Sequence, residues 1–157
     1  MVGSFKANFD VAVRADFAVA AVVISNHAGD IIYAVTKKIS TLDAAVGEAQ
    51  AALLATHAAG SYGVGNLILE GDAINIILAI QNPSLFLGWN FANVIADIRL
   101  NLLAFPVWKA VKVSRCANVR VHSLARWAAS HLVFGSIPNW SPILTSIRIK
   151  NGKDPPL

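Results

Sequence analysis

Asp10, Glu48 and Asp72 lie 38 and then 24 positions apart in this chain, and carboxylates gathered in one place do one kind of chemistry well. They repel one another and shift each other's pKa, so a converging set calls for a divalent cation. Mg²⁺ takes oxygen ligands: a few carboxylates, water and substrate phosphate. Two such ions about 4 Å apart activate a water and stabilise the leaving oxygen of a phosphodiester. The chemistry on offer is metal-assisted phosphodiester hydrolysis, provided the fold brings the three acids together.

Each acid also has a purely structural reading. Asp72 follows the apolar run Leu67-Ile68-Leu69 and the punctuating Gly71, so it stands at a strand's carboxyl end, where open α/β sheets bind ligands. It is equally placed to cap the helix that follows. Glu48 is the oddest of the three. Its helical face holds Ala44, Ala45, Ala51, Ala52, Ala55 and Ala59, and a lone carboxylate on a face of alanines is costly if buried without a partner. Alternatively, it reaches solvent near the helix start, favoured by the helix dipole. Asp10 shares its side of a strand with Lys6 and Asn8, which also suits a solvent-facing residue.

The positioning elements follow from periodicity. Residues 5–13 alternate with period two and predict a strand. Residues 17–25 form a more deeply buried strand, and the turn chemistry of Asn26-His27-Ala28-Gly29-Asp30 predicts a hairpin to a third strand over 31–37. The period then changes. Ser40 and Asp43 mark a helix start, a hydroxyl three residues before an acid, and 44–59 is helical and alanine-rich. A strand ending at Asp72, a helix over 73–81, a break at Asn82-Pro83-Ser84, a helix over 88–104, a strand over 107–114 and a helix over 118–133 complete the order. A meander followed by βα crossovers predicts one five-stranded mixed sheet, an antiparallel meander then parallel strands, covered by helices. The fourth strand then lies parallel beside the first and brings Asp72 to Asp10, with Glu48 arriving from the covering helix. Residues 4–133 make the domain and 134–157, with four of the six prolines, an extension.

Composition narrows the partners. The 157 residues fit one domain. Hydrophobic residues make up 55% and charged residues 14%, against about 25% charged in an average domain. Such an under-charged surface points to a partner covering part of it. The net charge of +4 and pI near 9.5 permit an anionic partner, including nucleic acid. Cys116 is the single cysteine, which excludes an internal disulfide and a multi-cysteine zinc site. There is no basic-then-apolar secretory segment and no run near the ~20 apolar residues of a membrane span. An intracellular setting, nucleus or cytoplasm, is the expectation.

Several short pieces occur in a telling order: Asn8-Phe9-Asp10, Val22-Val23-Ile24 with Gly29-Asp30, Glu48-Ala49, Leu69-Glu70-Gly71-Asp72, Asp97-Ile98, and Arg115, Asn118 and His122-Ser123-Leu124-Ala125. In this the chain resembles the ribonuclease H fold, specifically the plant-type, reverse-transcriptase-associated ribonuclease H domain of retrotransposon origin. The resemblance implies an endoribonuclease that cleaves the RNA strand of RNA–DNA hybrids with two Mg²⁺ ions, Mn²⁺ being an alternative. It implies that Asp10, Glu48, Asp72 and His122 are the catalytic and metal-binding residues, and that Asn8, Arg115 and Asn118 touch substrate. The chain departs from the family's usual pattern at Val11, Val19 and Ala21, where glycines are common, and at 82–87, which contain no Lys or Arg. These departures support an alternative: an inactive module of the same fold that binds nucleic acid or a protein partner.

Overall fold

A computed structural model describes residues 3–149. The meander is formed by β1 (Ser4–Val13), β2 (Ala18–Ser25) and β3 (Ile31–Ile39), all antiparallel. β4 (Asn66–Gly71) adds parallel to β1, and β5 (Val107–Lys112) parallel to β4. The helices are α1 (Ala44–Tyr62), α2 (Ile74–Gln81), α3 (Ala92–Leu102), α4 (Val119–His131) and α5 (Pro142–Ile149). The sheet order is β5-β4-β1-β2-β3-β6, so the first and fourth strands are neighbours, as the sequence predicts.

The sheet has six strands rather than the expected five. The sixth, β6 (Gly135–Ser136), pairs antiparallel with β3. Two residues are too few to show an alternating pattern, so nothing in the sequence marks them.

Helices cover both faces of the sheet, and the two cores explain the sequence patterns. One core joins Ala7, Phe9, Val22 and Ile24 to α1, α2 and α3; the other joins Ala12, Val19, Ala21 and Val23 to α4 and α5. β2 contributes to both, and all eight of its residues are buried. That is why it reads as a continuous apolar run without alternation. On α1, Ala51, Ala52, Ala55 and Ala59 are fully buried while Ala44 is exposed. These short side chains let the helix approach β1 and β2 closely, which shortens the reach from Glu48 to the sheet. Gly47 does the same one residue earlier: a Cβ there would stand 3.1 Å from Val11 Cγ2.

Three local expectations are corrected. Asp43, not Ser40, caps α1: its Oδ1 accepts from Val46 N at 3.0 Å, and Thr41 Oγ1 accepts from Asp43 N at 3.2 Å. Asp72 does not cap α2, because that helix starts at Ile74 and its cap position, Ala73, makes no side-chain bond. The expected helix over 88–104 begins only at Ala92. Before it, Pro83–Phe86 form a 3-10 turn, and Phe86, Trp89 and Phe91 pack ring on ring at 5.1–6.0 Å, holding the chain out of a regular first turn.

Residues 134–149 are integrated into the fold rather than trailing from it. Ile137 N donates to Ala34 O at 2.9 Å, and Ser136 Oγ and Tyr33 Oη are 2.6 Å apart. Ile143, Leu144 and Ile147 are buried in the second core. Residues 150–157 of the expected extension lie outside the described residues. Among the described residues, no helix is long and apolar enough to cross a membrane.

Gly71 ties the fold to the site. It is buried beside Phe9, and an added Cβ would stand 2.7 Å from Phe9 Cε2 and 2.8 Å from Cε1. Phe9 is itself fully buried and cannot step aside. Gly71→Ala is therefore expected to cost at least about 1–3 kcal/mol by overpacking, read as a lower urea midpoint. Because Asp72 is the next residue, the same change displaces the carboxylate.

Candidate active site

The strand register delivers two of the three acids. Asn8 is level with Glu70 in the parallel β1–β4 pair, so two residues further on Asp10 stands beside Asp72. α1 brings Glu48 to the same place. One carboxylate oxygen from each of Asp10, Glu48 and Asp72 lies within 4.8 Å of the others. Asp10 is only 4% exposed, so the solvent-facing reading of that residue is wrong: α4 covers its side of the sheet, a long-range contact that strand periodicity does not show.

The electrostatics of the cluster are unfavourable as it stands. Burial and the charge of Asp10 push the Glu48 carboxyl up to about 10, with a hydrogen bond to Asp10 and the charge of Asp72 adding to the shift; a bond from the Val11 backbone opposes it. Glu48 thus holds a proton at neutral pH. Its Oε2 is nonetheless buried without a hydrogen-bond partner, a costly state for a polar atom. Asp72 is also raised, first by burial and then by Asp10, against the opposing charges of Arg115 and His122. The stranded oxygen and the three all-oxygen donors fit a hard divalent cation, which would satisfy Oε2 and neutralise the repulsion.

The remaining expected residues surround this cluster in distinct ways. His122, on α4, meets Asp10: Nδ1 and Oδ2 are 2.7 Å apart. It stands outside the carboxylate trio, held by one of its members. Arg115 places Nε 3.7 Å from Asp72 Oδ2 on a side chain that is 76% exposed. Asn8 and Asn118 are committed within the protein. Asn8 Nδ2 donates to Glu70 Oε1 at 3.1 Å and to Asn118 Oδ1 at 3.0 Å. Asn118 Nδ2 donates to Phe9 O at 3.0 Å, and the residue is 1% exposed. At that burial Asn118 works chiefly within the protein: it ties the start of α4 to β1 and so sets the height of His122 against Asp10.

Glu70 is the participant that the sequence reading passed over. It accepts from Asn8 and pairs with Lys6 at 3.6 Å. The register held the signal, since Asn8 and Glu70 both sit two residues before an acid of the cluster.

The reverse transcriptase-like family model matches residues 8–128, a span from just before Asp10 to within α4. The chain belongs to that family. Its fold is ribonuclease H-like. The RNase H1 of the halophilic archaeon Halobacterium salinarum NRC-1 superposes with a TM-score of 0.73 at 23% identity, over 82% of this chain and 98% of that one. LC11-RNase H1, isolated from compost by a metagenomic approach, gives 0.71 at 19% identity, over 84% of this chain and 100% of that one. A second structure of LC11-RNase H1, in complex with an RNA/DNA hybrid, gives 0.69 at 19% identity over 82% and 99%. Among curated proteins, no relative matches. At these identities the solved structures establish the fold; within the reverse transcriptase-like family, the chemistry of this member has to be argued from its own side chains.

Proposed function

We propose that this domain is a Mg²⁺-dependent endoribonuclease that hydrolyses the RNA strand of RNA–DNA hybrids. The observation that carries the reading is the convergence of Asp10, Glu48 and Asp72 within 4.8 Å around a Glu48 oxygen with no partner of its own. Mg²⁺ bound there would supply Lewis acidity and lower the pKa of a bound water. Asp10, Glu48 and Asp72 are the groups that would hold it. Asp10 is the central one, flanked by both other acids and by His122.

The other residues orient and recognise. His122 fixes Asp10 through Nδ1 and keeps Nε2 as its remaining site for a proton. Arg115 makes a long, exposed ion pair, a kind worth little to stability, so its guanidinium is free to exchange Asp72 for a substrate phosphate. Asn118 positions α4. The complex of LC11-RNase H1 with a hybrid supports the choice of substrate, which would be recognised by shape, backbone and 2′-hydroxyls.

Purified protein incubated with an end-labelled hybrid should release RNA fragments with Mg²⁺ and none with a chelator. No fragments at any Mg²⁺ concentration would remove the nuclease reading. A second reading, a module that binds without cutting, draws on the 82–91 segment, where Leu85, Leu87 and Trp89 are exposed and no Lys or Arg is present. Tight hybrid binding without cleavage would favour it.

A further inference from the structure

A groove of about 510 Å³ begins at Asn8 and Asn118, next to the carboxylate cluster, on the side of the sheet that α4 covers. The register explains it. Lys6, Asn8 and Asp10 alternate onto one face of β1, level with Ser25, Val23 and Ala21 of β2. α4 packs over Val19, Ala21 and Val23, and its first turn lies at the Asn8 rung. The space between that turn and the Lys6 rung is the groove. From Asp10 to Lys6 the strand runs about 13 Å.

The hydrogen bonds dictate what the groove offers. The Phe9 carbonyl can only accept, so Asn118 must present Nδ2 to it and Oδ1 to Asn8. Asn8 then spends both N–H groups, on Asn118 and Glu70. Its carbonyl oxygen is what remains for a ligand, and that oxygen takes a hydrogen-bond donor. Arg120 lines the other wall. Its Nη1 donates to Gly29 O at 3.0 Å, which uses one of five guanidinium donors. Lys6 is half exposed, its one ion pair the long contact to Glu70. The groove therefore combines an acceptor near the acids with cations further along.

We infer that this groove is the track of the RNA strand beyond the cleaved bond, with a ribose 2′-hydroxyl donating to Asn8 and phosphates meeting Arg120 and Lys6. The inference rests on the hybrid-nuclease reading and adds a binding path to it. An Arg fork suits phosphate bidentately, and the 2′-hydroxyl is the group that separates RNA from DNA.

The chain's single cysteine supplies a probe that does not depend on turnover. Cys116 is exposed and lines the groove. With Ca²⁺ replacing Mg²⁺ to keep the hybrid intact, saturating hybrid should slow Cys116 alkylation by N-ethylmaleimide severalfold, and duplex DNA of the same sequence should protect it less. Arg120→Gln should weaken hybrid affinity roughly tenfold, the worth of one charge-assisted hydrogen bond, and reduce the salt slope by about one. Lys6→Gln, on an exposed strand position, should move both in the same direction and serves if the arginine variant misfolds. Hybrid that binds without protecting Cys116, or with unchanged affinity in both variants, overturns the groove and leaves the nuclease reading standing. Equal protection by duplex DNA overturns the 2′-hydroxyl contact. A wild-type protein that does not bind hybrid at all overturns both readings.

Discussion

Asp10→Asn is expected to abolish Mg²⁺-dependent cleavage while leaving the domain folded. The substitution keeps the shape of the side chain and removes one charge. That charge is central: Asp10 raises the pKa of both Glu48 and Asp72 and meets His122 at 2.7 Å. Loss of a residue that only supports a metal ligand costs about 10–100-fold in affinity or activity, so loss of a ligand should exceed about a hundredfold. Relief of like-charge repulsion should meanwhile raise the melting temperature of the metal-free protein. Cleavage of a labelled hybrid, Mg²⁺ binding by calorimetry and thermal melting separate these effects. A variant that cuts at the wild-type rate would remove Asp10 from the chemistry.

The second large effect is on pH dependence. Glu48 is raised from 4.5 to about 10 in the folded, metal-free protein. Between those values the folded state holds one proton more than the unfolded state. Metal-free stability should therefore be full below about 4.5 and fall as pH rises toward 10, by at most about 1.4 kcal/mol per unit. Metal binding requires the ionised carboxylate and expels that proton. Mg²⁺ affinity should then rise about tenfold per pH unit across neutrality. The upward shift of Asp72 acts in the same direction. Glu48→Gln, which mimics the protonated acid, should flatten both slopes. Titrations two pH units apart with equal affinity for Mg²⁺ would contradict this account.

Much of this is legible in the sequence. The apolar run at Leu67-Ile68-Leu69 and the alternation of 5–13 predicted β4 beside β1, because consecutive elements join with few permitted topologies. Glu48 was legible because a single acid interrupts a face of alanines. The part that stayed hidden depends on groups far apart in the chain. The bonds among Asn8, Glu70 and Asn118 span 62 and 110 positions. Gly47 against Val11 is similar: the sequence shows a valine where glycine is usual, and only packing shows that a glycine on the facing helix makes room for it. Local chemistry misled at Asp72, where cap and site residue look alike in sequence and only the late start of α2 separates them.

The integration of α5 and β6 bears on how this protein can be produced. The family match ends at residue 128, which invites a shortened clone. Ending the chain there or at 133 would strip Ile137, Ile143, Leu144 and Ile147 from the core they share with Val121, Leu124 and Ala128 of α4, baring an oily patch on a protein with few surface charges. Such a fragment should be recovered mainly as inclusion bodies, whereas one ending at 149 or later should stay in the clarified lysate.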